Sequence, residues 1–495
     1  MIKDVLYFRI NLIFIFINFV YIDHLISSSN IKNIALIGLG PHAKRIYYPY
    51  LEKIKNVNVE LIVDLDINKD NIQNYIQART LKPNKILFLD SLTQIDPFSI
   101  SSEVLFYLKK NTITHGIIST EPKSHKIYLE AFISNKIPVL VDKPITIFNK
   151  LTNNNVMQLE TDIIYLKNLI RNNYGSRVLV QCQRRNHDGY NYIINFIKNV
   201  LQQYNIPITS INMYHSDGMW NMPEEFNFRE NHPYKYGYGK LAHSGYHFVD
   251  LLISLLHLNL EINNKKPDML SIFSQSLLPQ DHNIIVQEQD YIKLLGIGNY
   301  GSHLKNSDYG ELDSYFQLQL SKKNKIITTV QASLLQSGFS QRGWKNLPFD
   351  TYKGNGRIRH ESINIHIGPL YNIQVHSYQS NEINQNDMYE NVGNKNHFDI
   401  YIFKNTNLLG GTPLEIIQFG KNDKTKNLNS MYLGHNENAR YKVIDELLNN
   451  RSSNSELNTH ISSVKLLSKL YLNRIKEKNN EIPFSRYNIE DIFYE

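Results

Sequence analysis

The chain has 495 residues, more than the roughly 250 to 300 at which a single hydrophobic core stops growing, so we expect two domains. Hydrophobic residues make up 42% of it and charged residues 20%, which excludes a disordered chain and a bundle of membrane helices. The net charge of +7 is spread along the chain without a basic arm, so we predict no nucleic-acid partner.

The only cysteine, Cys182, excludes an internal disulfide and a cysteine-cluster metal site. It ends an apolar run over residues 178–182, which predicts a buried strand thiol and not a nucleophile. A single cysteine fits a reducing compartment, so we predict a cytoplasmic protein.

Residues 1–30 precede the first recognisable fold pattern. Their apolar stretch, residues 10–22, is too short to span a bilayer, is interrupted by Asn11 and Asn18, and has no small-residue cleavage site close behind it. We interpret residues 1–30 as an upstream extension that is non-native or misassigned. An uncleaved apolar tail and an export signal are the alternatives, and the last would move the protein out of the cytoplasm.

From Ile31 onward, short apolar runs alternate with longer mixed segments, which predicts strand-helix units around a parallel sheet. We therefore predict a Rossmann-type, doubly wound α/β domain over residues 31–148, with helices over residues 43–54 and 124–134. The predicted strands are Ile34–Ile37, Val59–Val63, Ile86–Leu89, His115–Ser119 and Val139–Val141.

The pattern changes after Pro144. A helix over residues 156–172 is followed by alternating segments at 210–214, 315–320, 326–331 and 363–367, which predict a large, mostly antiparallel sheet. A last helix over residues 459–476 has one apolar face and should return to the core. We predict a second domain of α and β elements over residues 149–495.

The first predicted strand ends in a glycine-rich turn that opens a helix, which is the context of a dinucleotide-binding site. Gly38 permits the tight turn, Gly40 lets the backbone approach a pyrophosphate, and Ala43 keeps the helix close to the strand. The turn supplies the predicted cofactor-binding residues Gly38, Gly40, Pro41, His42 and Ala43. A second Gly-rich stretch, Gly296–Gly301, fits the letters better, but no helix pattern follows it, so we assign it to a turn.

Asp64 closes the second predicted strand, 24 residues beyond Gly40, near the spacing expected of a carboxylate that binds the adenosine ribose. A carboxylate there repels a 2'-phosphate, so NAD is favoured over NADP. NADP remains an alternative, because Asp66 is a second candidate and Lys44 or Arg45 would soften the selectivity.

Two further motifs carry a family resemblance. Residues 117–125, Ile-Ile-Ser-Thr-Glu-Pro-Lys-Ser-His, are followed by Asp142-Lys143-Pro144. With the Gly38 turn they resemble the glucose-fructose oxidoreductase/inositol dehydrogenase/MocA (Gfo/Idh/MocA) family. The likeness is dense over about residues 31–150 and patchy over 176–260 and 450–475, where it includes residues 237–250 and His460.

The resemblance implies hydride exchange between a nicotinamide and a hydroxyl-bearing carbon of a sugar, cyclitol or nucleotide sugar. It also implies a homo-oligomer formed through the antiparallel sheet. It adds to the cofactor-binding residues Thr120, Glu121, Pro122, His125, Asp142 and Lys143.

Such a reaction needs a base for the hydroxyl proton and a positive group that holds the oxygen. Lys143, at the carboxyl end of a predicted parallel strand, suits the second task, with an exposed turn lysine as the alternative. His247 suits the first. His243 stands where the family usually has Asp, and we predict that it assists from the same helix face, one turn before His247.

The same helix allows a zinc alternative through His243, His247 and Asp250, but no His-Glu-x-x-His pattern is present, so we predict no metal. Arg184, after a predicted strand of the second domain, and Tyr246 are candidate substrate-binding residues. A surface arginine is the alternative for Arg184.

The leading hypothesis is an NAD(P)-dependent oxidoreductase with a small, carbohydrate-like substrate. A second hypothesis is a glycosidase that uses NAD for transient oxidation. A third is a non-catalytic NAD-binding sensor, which the missing Asp at position 243 keeps open.

Overall fold

The computed structural model describes residues 31–90, 102–110, 112–217, 223–229, 232–295, 304, 308–337, 358–380, 397–419 and 435–494. The predicted extension, residues 1–30, and the second Gly-rich stretch, Gly296–Gly301, lie outside the described residues. Among those described, no helix combines the length and the apolar character that crossing a bilayer requires.

The first sheet has six strands, all parallel, in the order β3-β2-β1-β4-β5-β6. The five predicted strands are confirmed, and a sixth lies beyond the predicted domain boundary at residue 148. The strand before Arg184 therefore belongs to the parallel sheet, and its assignment to the second domain was wrong. The strands are β1 Lys32–Ile37, β2 Val57–Leu65, β3 Lys85–Leu89, β4 His115–Ile118, β5 Val139–Asp142 and β6 Val178–Gln181.

Helices connect these strands, and the predicted helix over residues 43–54 is wrong in one respect, because it is interrupted at Ile46. Pro49 explains the interruption: it has no N–H to donate, and its ring would clash with the carbonyl of Arg45 in a continuous helix. The helices are α1 Pro41–Arg45, α2 Tyr47–Leu51, α3 Lys69–Gln77, α4 Ser102–Lys109, α5 His125–Ser134 and α6 Asn153–Asn172.

Within the described residues, the second sheet has nine strands in the order β14-β13-β12-β11-β7-β10-β9-β8-β15, and its neighbours are antiparallel except for the pair β7 and β10. The predicted, mostly antiparallel sheet is confirmed. Its strands are β7 Ser210–Ser216, β8 Met269–Leu277, β9 Asp313–Lys322, β10 Lys325–Leu335, β11 Ile358–Ile367, β12 Tyr371–Ser380, β13 His397–Lys404, β14 Leu414–Phe419 and β15 Phe484–Asn488.

Alternation along β9 shows how this sheet is layered. Phe316, Leu318 and Leu320 are buried, while Gln317 and Gln319 between them are exposed, so one face packs on the core and the other is polar. The helices of this part are α7 Asp188–Tyr204, α8 Pro223–Phe228, α9 Tyr246–Leu258, α10 Pro279–Ile285, α11 Glu288–Leu295, α12 Thr406–Leu409, α13 His435–Leu448, α14 Ile461–Lys478 and α15 Ile489–Phe493.

Two late helices hold the two sheets together. The predicted returning helix is confirmed as α14, which packs against α6, α9 and β8. Helix α13 reaches the parallel sheet, where Val443, Ile444 and Leu447 share a core with Ile34 and Leu179. Helix α13, late in the chain, therefore completes a core that is formed in part by the first strand.

A buried ion pair fixes α9 against the parallel sheet. Arg185, in the turn after β6, donates from Nε to Asp250 Oδ2 at 2.8 Å and from Nη2 to Oδ1 at 2.6 Å. Ser463 of α14 donates to the same carboxylate at 2.7 Å. Burial raises the pKa of Asp250, but its contacts with Arg185 and His460 outweigh burial and hold the pKa well below the ordinary value.

Removing Arg185 should therefore be costly. We expect Arg185→Met to lower the free energy of unfolding by about 3 to 5 kcal/mol, because it leaves a buried carboxylate without its partner. Lys442→Ala, which breaks an exposed pair with Asp188, is the control and should cost less than about 1 kcal/mol. Urea unfolding measures both, and equally small losses would contradict this role of the Arg185 pair.

Candidate active site

The glycine-rich turn has the shape that a dinucleotide needs. Gly38 has φ +87°, and a Cβ there would lie 2.5 Å from the carbonyl oxygen of Ser119, so no other residue fits. A Cβ on Gly40 would meet nothing within 4 Å, so the backbone is open on that side. These features fit a pyrophosphate lying over the turn.

Asp64 ties this turn to the end of β2. Its Oδ2 accepts from the Leu39 backbone N–H at 2.6 Å, and its Oδ1 accepts from the Leu65 N–H at 2.7 Å and from Asn68 Nδ2 at 2.8 Å. A carboxylate has about four acceptor positions, so one is left for a ribose hydroxyl. The position suits the predicted role, and the choice between NAD and NADP stays a prediction.

His125 connects the two family-like motifs. Its ring is fully buried, with Nδ1 2.9 Å from the Pro144 carbonyl oxygen and Nε2 3.0 Å from that of Thr120. Both nitrogens face backbone oxygens, so the ring connects the two turns, and cofactor binding by His125 stays a prediction that these contacts do not favour. Burial lowers its pKa to about 4.

The rest of the first motif forms a compact turn after β4. Ser124 Oγ donates to Thr120 Oγ1 at 2.9 Å, and Pro122 opens a single 3-10 turn over Pro122–Ser124. Thr120 and Glu121 are partly exposed at the carboxyl end of the strand. This edge of a parallel sheet is where ligands bind, so their position suits the predicted cofactor-binding role, which stays a prediction.

Asp142 ends β5 and is engaged by two residues that sequence reasoning missed. Ser119 Oγ donates to its Oδ2 at 2.7 Å, and the Tyr47 hydroxyl donates to its Oδ1. His42 Nε2 lies 3.7 Å from Oδ1. Burial raises the pKa of Asp142, while the hydrogen bonds from Tyr47 and Ser119 oppose the rise.

Lys143 crosses from the parallel sheet to the turn before α9. Its Nζ donates to the backbone carbonyl oxygen of His243 at 2.5 Å. Burial lowers the pKa of this ammonium to about 8, although the nearby Asp142 acts in the opposite direction. The two predicted catalytic positions 143 and 243 are thus in direct contact.

The placement of His243 corrects one prediction. It does not share a helix with His247, because α9 begins at Tyr246 and His243 lies in the preceding turn. Its ring packs against Tyr234 and Tyr238, and its Nε2 is buried with no hydrogen-bond partner in the described part of the chain. Burial and then the charge of Lys143 lower its pKa well below the ordinary value, so the ring is neutral at pH 7.

His247 lies in the first turn of α9 and is 8% exposed. Among the described residues, its one hydrogen-bonding contact joins Nδ1 to Cys182 Sγ at 3.4 Å. Burial lowers its pKa well below the ordinary value, and the charges of Lys143, Arg184 and Arg440 lower it further. His247 is therefore a neutral imidazole at pH 7. Within the described ranges, no three His, Cys, Asp or Glu side chains are grouped to hold a metal ion.

The two candidate substrate-binding residues are engaged inside the protein. Arg184 is 2% exposed, donates to the buried Glu361, and lies 4.6 Å above the centre of the Phe248 ring. Tyr246 is fully buried, with its hydroxyl 3.3 Å from His460 Nδ1. Substrate binding by Arg184 and Tyr246 stays a prediction that these contacts do not favour.

Arg440 is a site residue that the sequence did not reveal. It lies on α13, and after burial its charge is the largest cause that lowers the pKa of His42. The same charge acts on His247 and Lys143. No local motif surrounds Arg440, and only the packing of α13 on the parallel sheet brings it here.

No protein-family model and no curated protein matches the sequence. Solved structures do match. They include levoglucosan dehydrogenase with NADH and levoglucosan, at a TM-score of 0.55 and 11% identity over 92% of this chain and 99% of that one. Scyllo-inositol dehydrogenase of Lactobacillus casei, with NAD(H) and scyllo-inositol, matches at 0.51 and 12% over 92% and 98%. The 3-ketoreductase KijD10 of Actinomadura kijaniata, with NADP and TDP-benzene, matches at 0.51 and 10% over 88% and 96%.

These proteins are oxidoreductases of the kind that the sequence motifs resemble, and the likeness spans both sheets. At this level of identity it shows a shared fold. The fold implied by the resemblance to the Gfo/Idh/MocA family is therefore confirmed.

The two glycines of the turn should respond differently to substitution. Gly38→Ala should destabilise the fold by more than about 2 kcal/mol, because it adds left-handed backbone strain to a clash with Ser119. Gly40→Ala should leave the melting temperature almost unchanged and weaken NADH binding, because its methyl group enters the open space over the turn. Thermal melts and NADH fluorescence titrations measure both, and tight NADH binding by Gly40→Ala would argue against a pyrophosphate at this turn.

Proposed function

We propose that the protein is an NAD(P)-dependent oxidoreductase that acts on a hydroxyl-bearing carbon of a sugar, cyclitol or nucleotide sugar. The observation that carries the proposal is the contact of Lys143 Nζ with the His243 carbonyl, 2.5 Å long, beside a neutral His247. On this proposal a positive group, Lys143, and a proton acceptor, His247, act together at the carboxyl edge of a parallel sheet whose first turn fits a dinucleotide. The nicotinamide dinucleotides and sugar-like ligands of the matching structures support the same assignment.

Cofactor binding is assigned to the Gly38 turn, to Asp64 and to the Thr120–Pro122 turn. The carboxylate of Asp64 favours NAD, because it would repel a 2'-phosphate. When bound, the nicotinamide would supply the acceptor or donor of the hydride.

Lys143 is assigned to the substrate oxygen. An ammonium has three N–H donors, and the His243 carbonyl takes one of them, so two remain for a ligand. Its positive charge stabilises the negative charge that develops on the oxygen as the hydroxyl loses its proton.

His247 is assigned as the base. Its Nδ1 is in contact with Cys182, which leaves Nε2 to take the substrate's hydroxyl proton. Lys143, Arg184 and Arg440 all disfavour an imidazolium at this place, so the ring returns the proton readily.

The missing Asp at position 243 does not break this arrangement. Residue 243 holds Lys143 through its backbone carbonyl, which every residue type supplies. We assign the uncharged His243 ring a place beside the substrate. It would contact the substrate through Nε2, which is buried and has no hydrogen-bond partner among the described residues.

The first test is turnover of a panel of sugars, cyclitols and nucleotide sugars with NAD or NADP. His247→Gln should bind NADH normally and lose about 100- to 10,000-fold in kcat, the range for removal of a general base. His366→Gln, at an exposed side chain near the end of β11, is the matched control and should keep full activity. An unchanged kcat in His247→Gln would remove His247 as the base.

The pH dependence separates the two roles. Lys143 is needed in its charged form, and its pKa is about 8, so kcat/KM should fall as pH rises through about 8. His247 stays neutral down to well below pH 6.5, so activity should not fall between pH 8 and pH 6.5. A kcat/KM that rises through pH 8 would mean that Lys143 itself is the base.

A further inference from the structure

We infer that Cys182 is a positioning residue: its sulfur accepts a hydrogen bond from His247 Nδ1 and holds the imidazole in the tautomer whose Nε2 carries the lone pair. The inference rests on the proposed role of His247 as the base. The geometry itself does not depend on that role.

The proposed base, His247, is the first of three buried groups in a row, followed by Cys182 and Asp250. Cys182 Sγ is 3.4 Å from His247 Nδ1 and 3.3 Å from Asp250 Oδ2. Cys182 and Asp250 are fully buried, and His247 is nearly so. The thiol is therefore the only group through which the ring's inner nitrogen contacts α9's carboxylate in the described part of the chain.

Asp250 sets the direction of the hydrogen bonds. Arg185 donates twice to this carboxylate and Ser463 donates once, so it is ionised and only accepts. The thiol proton must then point to Asp250, which leaves the sulfur lone pairs toward His247.

The direction of these hydrogen bonds determines which nitrogen of the His247 ring carries the proton. Sulfur faces Nδ1 as an acceptor, so Nδ1 carries the proton, and a neutral imidazole has only one. Burial raises the pKa of the Cys182 thiol well above its ordinary value, which keeps the thiol proton in place. Nε2 is left unprotonated, as a general base requires.

The charged groups around His247 keep its imidazole ring neutral. Lys143, Arg184 and Arg440 oppose protonation, and Asp250 on the far side of the sulfur favours it. Cys182 separates the imidazole from Asp250, so the ring is oriented by the carboxylate without pairing directly with it.

The experiment is 15N NMR of the full-length protein labelled at histidine, at pH 7.5 and without added cofactor. His247→Gln identifies the His247 signals. We expect protonated Nδ1 and unprotonated Nε2 in the wild type. A wild-type His247 protonated on Nε2 would overturn the inference, whatever the activity of the protein.

Two variants then test the sulfur itself. Cys182→Ser keeps a hydroxyl that can donate to Asp250 and accept from Nδ1, so it should keep the wild-type tautomer and most of the activity. Cys182→Ala should shift the ring to the tautomer protonated on Nε2 and lose about 10-fold or more of kcat, with KM and NADH affinity unchanged, because the base then presents its proton in place of its lone pair.

A Cys182→Ala protein with the wild-type tautomer would also overturn the inference. The proposed function fails separately, because that failure shows as full activity in His247→Gln or as absence of NADH binding. Neither of those results changes the NMR signals that decide the tautomer.

Discussion

The hydrogen bond from Lys143 to the His243 carbonyl joins two parts of the chain that fold around different sheets. Lys143 directly follows β5 of the parallel sheet, and His243 lies in the turn before α9, whose Phe248 stacks on His215 of the antiparallel sheet. The proposed site exists only where these two meet. The Arg185–Asp250 pair fixes α9 against the turn after β6. It thereby helps to hold the segments that contain Lys143 and His243 in place relative to each other.

Burial and positive charge together determine the protonation states at this junction. His243 and His247 both have pKa values well below the ordinary one, first because they are buried and then because of nearby cationic side chains, Lys143 foremost. Each neutral imidazole therefore keeps one ring nitrogen without a proton at neutral pH, and that nitrogen can accept one. Lys143, whose pKa burial lowers to about 8, stays positive enough to polarise an oxygen.

Local patterns predicted a large part of this structure. The strands of the parallel sheet follow from short apolar runs, and the Gly38 turn follows from a strand, two glycines and a helix start in sequence. Lys143 was predicted from the Asp142-Lys143-Pro144 motif and the family resemblance that it carries, and its place after a buried strand supports this, because parallel strands gather their carboxyl ends at one edge. These features depend on a few neighbouring residues, so the sequence displays them directly.

The rest depends on contacts between distant segments. The sheet that the sixth strand joins, the docking of α13 and the approach of Arg440 have no local pattern, because each is decided by packing between distant segments. The prediction that His243 shares a helix with His247 was wrong for a related reason. The four-residue spacing of His243 and His247 is compatible with one continuous helix and also with a turn that precedes a helix. No capping side chain marks the start of α9. Cys182 was correctly predicted to be buried, but its contact with His247 could not be inferred from either residue alone.

Direct hydride transfer is the central claim, and isotope labelling tests it most directly. The full-length protein would be incubated with NADH or NADPH deuterated at the transferable position of C4 and with keto forms of sugars, cyclitols and nucleotide sugars. Mass spectrometry should find one deuterium on the new hydroxyl-bearing carbon of a product. A panel without any deuterated product, from protein that binds the deuterated cofactor, would contradict the claim.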